Sequence, residues 1–264
     1  MRTLVCIKAV PSSTEVKMDP VTNTIIRDGK QSVVNPFDQA ALEEAICIKE
    51  QLGGSIIVLS MGIPATEGLL RDCLSRGADR GILLSDRAFA GADTLATSYA
   101  LSCALEQLRT ANEFPSLIIC GKMAVDGDTA QIGPELATTL GIPSIVNVEK
   151  VLAVSEEEIT VRRITDLGRE IVSCKLPALI TVTKDIRIPR MPSIAGVRFG
   201  ETGPVEVFGA QGVGADATRC GLNGSPTQVV RSFTPERTHE AITIEGTSSE
   251  QAAQLIDVLG GFGL

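Results

Sequence analysis

The chain has 264 residues, of which 44% are hydrophobic, and it carries a formal net charge of -8. A chain of this length and hydrophobicity can bury a substantial core, which excludes a disordered or fibrous protein. The acidic balance argues against nucleic acid and anionic membranes as partners, because both require a clustered basic surface. No apolar stretch is long enough to span a bilayer and no signal peptide is recognisable, so we expect a cytoplasmic protein without membrane insertion.

Cysteine and histidine usage limits the chemistry further. The seven cysteines are far apart, and most lie within apolar segments, which is typical of buried thiols in a reducing compartment. Structural zinc and iron–sulfur sites need closely spaced cysteine or histidine pairs, so we expect no metal site. The single histidine, His239, lies in a polar stretch, which leaves a histidine-dependent nucleophilic triad without support.

The first two thirds of the chain alternate between short β-branched runs and longer amphipathic segments. This pattern predicts an α/β fold with a parallel sheet covered by crossover helices. The predicted strands are Leu4–Ala9, Ser55–Met61, Gly81–Leu84, Leu117–Cys120, Ala178–Thr183 and a hairpin of Ile159–Arg163 with Glu170–Cys174 around Asp166-Leu167-Gly168. The predicted helices are Asp38–Leu52, Thr66–Arg76, Asp93–Leu108 and Thr129–Leu140.

The character of the sequence changes after Asp185. Much of the remainder is rich in Gly and Pro and has no sustained period, which predicts an extended arm ordered against a partner or ligand. We therefore expect a nucleotide-binding domain over 1–185 and an arm over 186–264. Within the arm, Thr247-Ser-Ser-Glu250 resembles a capping box that opens a short helix ending near Leu259.

The densest polar segment, residues 120–134, follows a predicted strand and opens a predicted helix. In a parallel α/β sheet such junctions lie at the carboxyl edge, where ligands bind. Gly121 and Gly127 relax the backbone, and the free N–H groups of a helix that begins near Thr129 would form an anion cradle.

Simpler interpretations of the same segment remain open. Asp128 and Gln131 have capping-box spacing, so they could serve only to cap the helix. Asp126 and Asp128 could form an acid/base pair, although two acids at a helix start are more often caps. A stand-alone hydrolase or ligase would use Asp126 and Lys122.

Two more junctions have a similar composition. Asn35 could hydrogen-bond an adenosine, and Asp38 is suited to cap the next helix. At the other junction, Gly91 permits a ligand to approach the backbone closely, and Asp93 or Thr94 begins a helix. The phosphate-binding pattern Gly-x-x-x-x-Gly-Lys-Ser/Thr is absent. The residues therefore predict a nucleotide or dinucleotide site and leave the reaction open.

Four segments resemble the beta subunits of electron-transferring flavoproteins: Val34–Ala45, Ser75–Gly81, Gly121–Gln131 and Pro189–Ser193. The resemblance implies a doubly wound, mostly parallel α/β sheet of the adenine-nucleotide alpha-hydrolase-like type, with an extended C-terminal arm. It also implies that the chain binds AMP or a second FAD, while an alpha subunit holds the catalytic FAD.

Carried over residue by residue, the resemblance assigns contacts with the adenosine and phosphates to loops at the strand ends. These residues are Cys6, Asn35, Pro36, Phe37, Asp38, Met61, Gly121, Lys122, Met123, Ala124, Val125, Asp126, Gly127, Asp128, Thr129, Ala130, Gln131 and Ile132. Met123 stands where the family more often has Gln, which would remove one polar contact with the nucleotide.

Two further segments, Asp86–Thr97 and Cys220–Thr227, resemble the branch of the family that performs flavin-based electron bifurcation. In that branch FAD replaces AMP, and NAD(H) exchanges a hydride with this second flavin. The residues expected to face it are Gly91, Asp93, Thr94 and Thr97, with Ser225 and Thr227 reaching back from the arm. The alternative is a non-bifurcating subunit with structural AMP, because glycine-rich segments also suit turn geometry alone.

The resemblance also implies protein partners. Electrons would divide between ferredoxin or flavodoxin and an FAD-dependent dehydrogenase of the acyl-CoA or lactate type. Residues 190–199 correspond to the family's dehydrogenase-recognition loop, although this chain has Ile194-Ala-Gly-Val in place of a Leu-rich tip. Because the cofactor supplies the redox chemistry, no residue is nominated as catalytic.

Overall fold

The computed structural model describes residues 1–12, 32–230 and 243–261. His239 lies outside them. The described strands are β1 Arg2–Cys6, β2 Ala9–Pro11, β3 Ser32–Val34, β4 Ser55–Met61, β5 Arg80–Leu84, β6 Leu117–Gly121, β7 Ser144–Val154, β8 Glu158–Thr165, β9 Gly168–Lys175, β10 Ala178–Val182 and β11 Val205–Phe208. The described α-helices are α1 Pro36–Leu52, α2 Glu67–Arg76, α3 Thr94–Thr110, α4 Ile132–Leu140, α5 Ile194–Thr202 and α6 Ser248–Gly261.

Nine of these strands form one sheet in the order β11-β5-β4-β1-β6-β10-β7-β8-β9. The first seven strands of that order are parallel, and β8 and β9 continue the sheet as an antiparallel hairpin. The chain leaves β1 towards β4 and β5 and then returns to β6 on the other side of β1. The strand order therefore reverses between β1 and β6, the kind of position at which open α/β sheets bind ligands.

Helices cover both faces of the parallel part of the sheet. Apolar residues of α1 and α2, among them Leu42 and Leu74, pack against one face in a common cluster with Val5 and Ile119. Residues of α3 and α4 pack with strand residues of the opposite face in a second cluster. This arrangement confirms the expected doubly wound, mostly parallel α/β sheet.

Several expected elements lie where the sequence pattern placed them, including Ser55–Met61 and the β8–β9 hairpin. The sequence pattern missed β7 and β11. Strand β7 has two register shifts along its pairing with β8, which interrupt the alternation that marks a strand. Strand β11 is only four residues long and lies within a Gly-rich stretch.

The residues after Asp185 do more than form an arm. Strand β11 pairs with β5 and extends the main sheet, and α5 packs against α2. The compact unit that contains the sheet therefore runs from Met1 to Val229, beyond the boundary expected near Asp185.

Two expected helix starts were wrong. Helix α1 begins at Pro36, which suits the first helical position, and Asp38 lies inside its first turn. Helix α4 begins at Ile132 and not near Thr129, because Asp128 and Ala130 both have positive φ values, 51° and 54°. The N-cap of α4 is Gln131 and it makes no side-chain capping bond, so the alternative interpretation of Asp128 and Gln131 as a capping box does not hold.

The second compact unit, Val230–Leu264, contains helix α6. Its predicted capping residues act as expected: the Glu250 carboxylate accepts hydrogen bonds from the backbone N–H and the hydroxyl of Thr247, both at 2.8 Å. No helix in the described part of the chain is both long enough and apolar enough to cross a bilayer.

Candidate functional site

The candidate site lies at the carboxyl ends of β1 and β6, where Asp38 ties both strands to helix α1. The buried Asp38 carboxylate accepts the backbone N–H of Lys8 at 2.8 Å and is also bonded by the N–H of Gly121. A Cβ atom at position 121 would lie 2.2 Å from Asp38 Oδ1, so only glycine fits there. Burial raises the pKa of Asp38 to about 7, although these hydrogen bonds lower it.

Asn35 holds the loop that follows β6. Its side chain is buried, donates to the Met123 carbonyl at 2.9 Å and accepts the Val125 N–H at 3.3 Å. The sequence suggested that Asn35 contacts an adenosine, but in the structure its amide is engaged with this loop. Lys8 braces the same loop through an ion pair of 2.6 Å with Asp126.

The loop itself has the backbone conformation of an anion site. The N–H groups of Gly127 and Asp128 both donate to the Ala124 carbonyl and close a turn. Beyond the turn, positive φ values at Asp128 and Ala130 precede Gln131, which is right-handed. Such alternation turns successive N–H groups towards one side and forms an anion-binding concavity. Non-glycine residues held at positive φ are strained, and strain of this kind clusters at ligand sites.

A second cluster lies at the N-terminus of α3, where the chain folds back. Asp93 caps the helix by accepting the Ala96 N–H at 3.0 Å, as expected. Its carboxylate also accepts the hydroxyl of Thr227 at 2.8 Å, and its own N–H donates to the Ser225 hydroxyl at 2.8 Å. Burial raises the pKa of Asp93, but these hydrogen bonds lower it by more and hold it below its usual value. The structure thus brings together Asp93, Ser225 and Thr227 as the sequence suggested.

One contact joins the two clusters. The Thr94 hydroxyl, at the start of α3, donates to Glu135 Oε1 in α4 at 3.0 Å. The other carboxylate oxygen, Glu135 Oε2, is buried and has no hydrogen-bond partner among the described residues. A buried acceptor without a donor is costly unless a ligand or water supplies one. Glu135 was not predicted from the sequence, because a single carboxylate in the first turn of a helix is an ordinary feature.

Other predicted residues take subsidiary positions. Cys6 ends β1. The pKa of Cys120 is raised well above its usual value, mainly by a hydrogen bond with the Cys6 thiol and secondly by burial. That thiol is therefore not a nucleophile at neutral pH. Met61 ends β4, the strand next to β1, and the Lys122 N–H bonds the Val182 carbonyl. The described residues contain no group of three or more His, Cys, Asp and Glu residues suited to a metal.

Comparison with known proteins identifies the family to which this geometry belongs. The Electron transfer flavoprotein domain matches residues 22–211. The chain is 43% identical over 260 residues to the electron transfer flavoprotein subunit beta of Thermoanaerobacterium thermosaccharolyticum, with 98% of both chains covered. The chain belongs to the electron transfer flavoprotein family. Its beta-subunit resemblance is confirmed.

Two further relatives carry other names, and one of these names mentions a complex. This chain is 41% identical over 261 residues to the caffeyl-CoA reductase-Etf complex subunit CarD of Acetobacterium woodii, covering 98% of each chain. It is 40% identical over 262 residues to protein FixA of Bradyrhizobium diazoefficiens, covering 98% of this chain and 91% of that one.

The residues at the site fit the nucleotide that an electron transfer flavoprotein implies. The concavity offers the backbone N–H groups of residues 129–131, which are suited to phosphate oxygens. Glu135 Oε2 offers an acceptor suited to a sugar hydroxyl. A phosphorylated sugar requires donors for its phosphate oxygens and an acceptor for its hydroxyl groups. The site residues therefore suit a nucleotide or flavin nucleotide.

Proposed function

We propose that this chain is the beta subunit of an electron transfer flavoprotein that binds FAD at the carboxyl edge of its sheet. In this proposal the FAD exchanges electrons with NAD(H), in a bifurcating or confurcating complex. The partners are an electron transfer flavoprotein alpha subunit, ferredoxin or flavodoxin, and an FAD-dependent dehydrogenase of the acyl-CoA or lactate type. The chain acts in the cytoplasm and has no activity alone.

The observation that carries this proposal is the Thr94–Glu135 contact. It joins α4, the helix that follows the loop after β6, to the cluster at the N-terminus of α3, so the two polar clusters are linked. AMP would need only the first of these clusters. A dinucleotide such as FAD spans both, which favours FAD over AMP.

Each part of the site has a distinct task in this proposal. The backbone N–H groups at 129–131 hold the phosphates, and Glu135 accepts a hydroxyl of the sugar chain. The Asp93 N–H donates to the Ser225 hydroxyl and the Asp93 carboxylate accepts the Thr227 hydroxyl, and these bonds hold the returning segment across the N-terminus of α3. The bound flavin supplies the redox chemistry, and the protein supplies its binding and orientation.

The relatives support the proposed assembly. The name of the Acetobacterium woodii relative places that protein in a reductase–Etf complex, and we extend such a complex to this chain. The segment after residue 185 is proposed to contact the alpha subunit and the dehydrogenase. Three of its apolar side chains, Ile188, Met191 and Ile194, are among the most exposed of the described residues.

Nucleotide content tests the proposal. The complex of this chain with its alpha subunit is purified and denatured, and the released nucleotides are separated by chromatography. We expect two FAD per heterodimer. One FAD and one AMP would overturn the FAD assignment and favour a non-bifurcating carrier with structural AMP.

A second assay tests bifurcation itself. Under anaerobic conditions, NADH should reduce ferredoxin only when the dehydrogenase and its oxidised substrate are also present. Ferredoxin reduction that proceeds without the dehydrogenase would refute the coupling.

A further inference from the structure

The returning segment, residues 209–227, leads from the end of β11 to the second cluster of the site. All of its residues are described, and the one regular element among them is a turn of 3₁₀-helix, Ala217–Arg219. The segment is nonetheless packed against the sheet, because Val213 and Cys220 are buried in the same apolar cluster as residues of α3. Its course therefore depends on individual contacts with its neighbours, since no helix or strand ladder fixes it.

The start of the returning segment is held by Asp86, which follows β5. One oxygen of the Asp86 carboxylate accepts the Ala88 N–H and the other accepts the Ala210 N–H, both at 3.0 Å. These two hydrogen bonds lower the pKa of Asp86 below its usual value. The carboxylate therefore stays ionised at neutral pH and joins the segment to the loop that leads into α3.

The middle of the segment is held by Tyr99, on the second turn of α3. The Tyr99 hydroxyl accepts the Asp216 N–H at 2.9 Å, and the Arg219 guanidinium lies over the Tyr99 ring, 3.8 Å from its centroid. The Asp216 carboxylate accepts the Thr218 N–H at 2.9 Å and the Thr218 hydroxyl at 2.7 Å. That closes the short turn which brings Arg219 back over the ring. We call Tyr99, Asp216, Thr218 and Arg219 the clasp.

The chain between the clasp and the site is short and tightly packed. Only five residues separate Arg219 from Ser225. A Cβ atom at Gly221 would lie 2.3 Å from the Ala88 carbonyl oxygen, and one at Gly224 would lie 2.1 Å from the carbonyl oxygen of Arg219 itself. Backbone in such close contact cannot shift independently at its two ends. A displacement of Arg219 is therefore passed on to Ser225, which bonds the Asp93 N–H.

We propose that Tyr99 and Arg219 are positioning residues that hold the returning segment on α3, so that Ser225 and Thr227 are in place when FAD binds. The inference rests on the proposed function, which supplies the FAD. One exposed cation–π contact and one hydrogen bond contribute little to the stability of a whole domain. Here they act on a segment without a ladder of its own. Their effect is to order the second cluster before binding, which otherwise reduces affinity.

The test uses the heterodimer with Tyr99→Leu, Arg219→Gln, or both. Hydrogen exchange of peptides from residues 209–227 reports the clasp, because the Asp216 N–H is itself bonded to Tyr99. Equilibrium dialysis of FAD reports the site. In each variant we expect exchange about fivefold faster or more, and about fivefold weaker retention of one of the two FAD, with the other FAD unchanged. The double variant should retain FAD within about twofold of either single variant, because both remove the same contact.

Two further variants separate positioning from general effects of substitution. Arg219→Lys keeps a cation over the Tyr99 ring and should retain FAD within about twofold of the unsubstituted protein. Arg109→Gln is the matched control, because the Arg109 guanidinium also lies 3.8 Å from the centroid of a ring, that of Phe114. Arg109 is in the last turn of α3, far from the N-terminal cluster, so its replacement should change neither exchange of 209–227 nor FAD retention.

Unchanged exchange in the double variant would overturn the clasp. Faster exchange with full FAD retention would overturn its link to the cofactor, and equal loss of FAD in Arg219→Lys and Arg219→Gln would overturn the role of the cation. If the unsubstituted heterodimer holds one FAD and one AMP, the proposed function and the positioning of FAD both fail. Two FAD in the unsubstituted protein with unchanged retention in the variants would refute the positioning alone.

Discussion

Replacing Asp38 with Asn should change how stability depends on pH. Burial raises the pKa of Asp38 in the folded protein to about 7, from 3.8 in its absence. The folded state therefore keeps a proton that the unfolded state releases above pH 4. The stabilisation of the folded state by this proton is fully present below the pKa of Asp38 in the unfolded chain and is lost as the pH rises towards 7.

The magnitude follows from the two pKa values. Each pH unit between them lowers the free energy of unfolding by about 1.4 kcal/mol. Between pH 5 and pH 7 the wild-type protein should therefore lose roughly 3 kcal/mol of this free energy relative to Asp38→Asn. For a domain of this size that corresponds to roughly 6–12 °C in Tm. The titratable groups nearest Asp38, namely Lys8, Cys73 and Cys120, are unchanged in the variant.

Thermal unfolding of the purified heterodimer at half-unit steps from pH 5 to pH 8 measures this difference. Asp166→Asn, in the exposed β8–β9 turn, is the matched control and should follow the wild-type pH profile. Parallel profiles for Asp38→Asn and wild type would refute the argument, because Asp38 would then be ionised in the folded protein throughout.

Three further outcomes are expected. Glu135→Ala should weaken FAD retention about tenfold or more, measured by equilibrium dialysis, because a buried acceptor for the ligand is lost. Thr227→Val should weaken FAD retention several-fold while changing Tm by only a few degrees, since its bond to Asp93 is exposed. Ala130→Gly should raise Tm by a few degrees, because glycine adopts φ 54° without strain of about 1 kcal/mol.

Thr138→Ala, on the exposed side of α4, should leave FAD retention unchanged. Full FAD retention in Glu135→Ala would show that Glu135 Oε2 has no ligand partner. A lower Tm for Ala130→Gly would show that residue 130 is unstrained.

The doubly wound core was predictable because buried parallel strands consist of consecutive apolar residues. Ser55–Met61 was predicted at both ends for this reason. Strand β11 was not, because four residues give too short a pattern and their role depends on pairing with β5. Helix α5 contains Gly196 and Gly200, which lower helix propensity but permit its close packing on α2.

The candidate site was predictable in position more than in detail. The junction after β6 stood out by composition, and the Asp93 cap was expected. Two contacts could not be predicted: the hydrogen bonds of Asn35 with the loop backbone, and the bond between Thr94 and Glu135. Both depend on which loops the sheet order brings together. A cap such as Asp93 depends on neighbouring residues in the sequence, whereas contacts between loops follow from topology.

The bond between Asp93 and Thr227 has a consequence for biosynthesis, because 134 positions separate its partners. The parallel core can form once β10 has left the ribosome, whereas the second cluster of the site needs a segment made more than forty residues later. Since domains begin to fold while synthesis continues, this chain should acquire its cofactor only after Thr227 has been synthesised. A chain that stops before Ser225 would retain most of the sheet and lose its hold on the nucleotide.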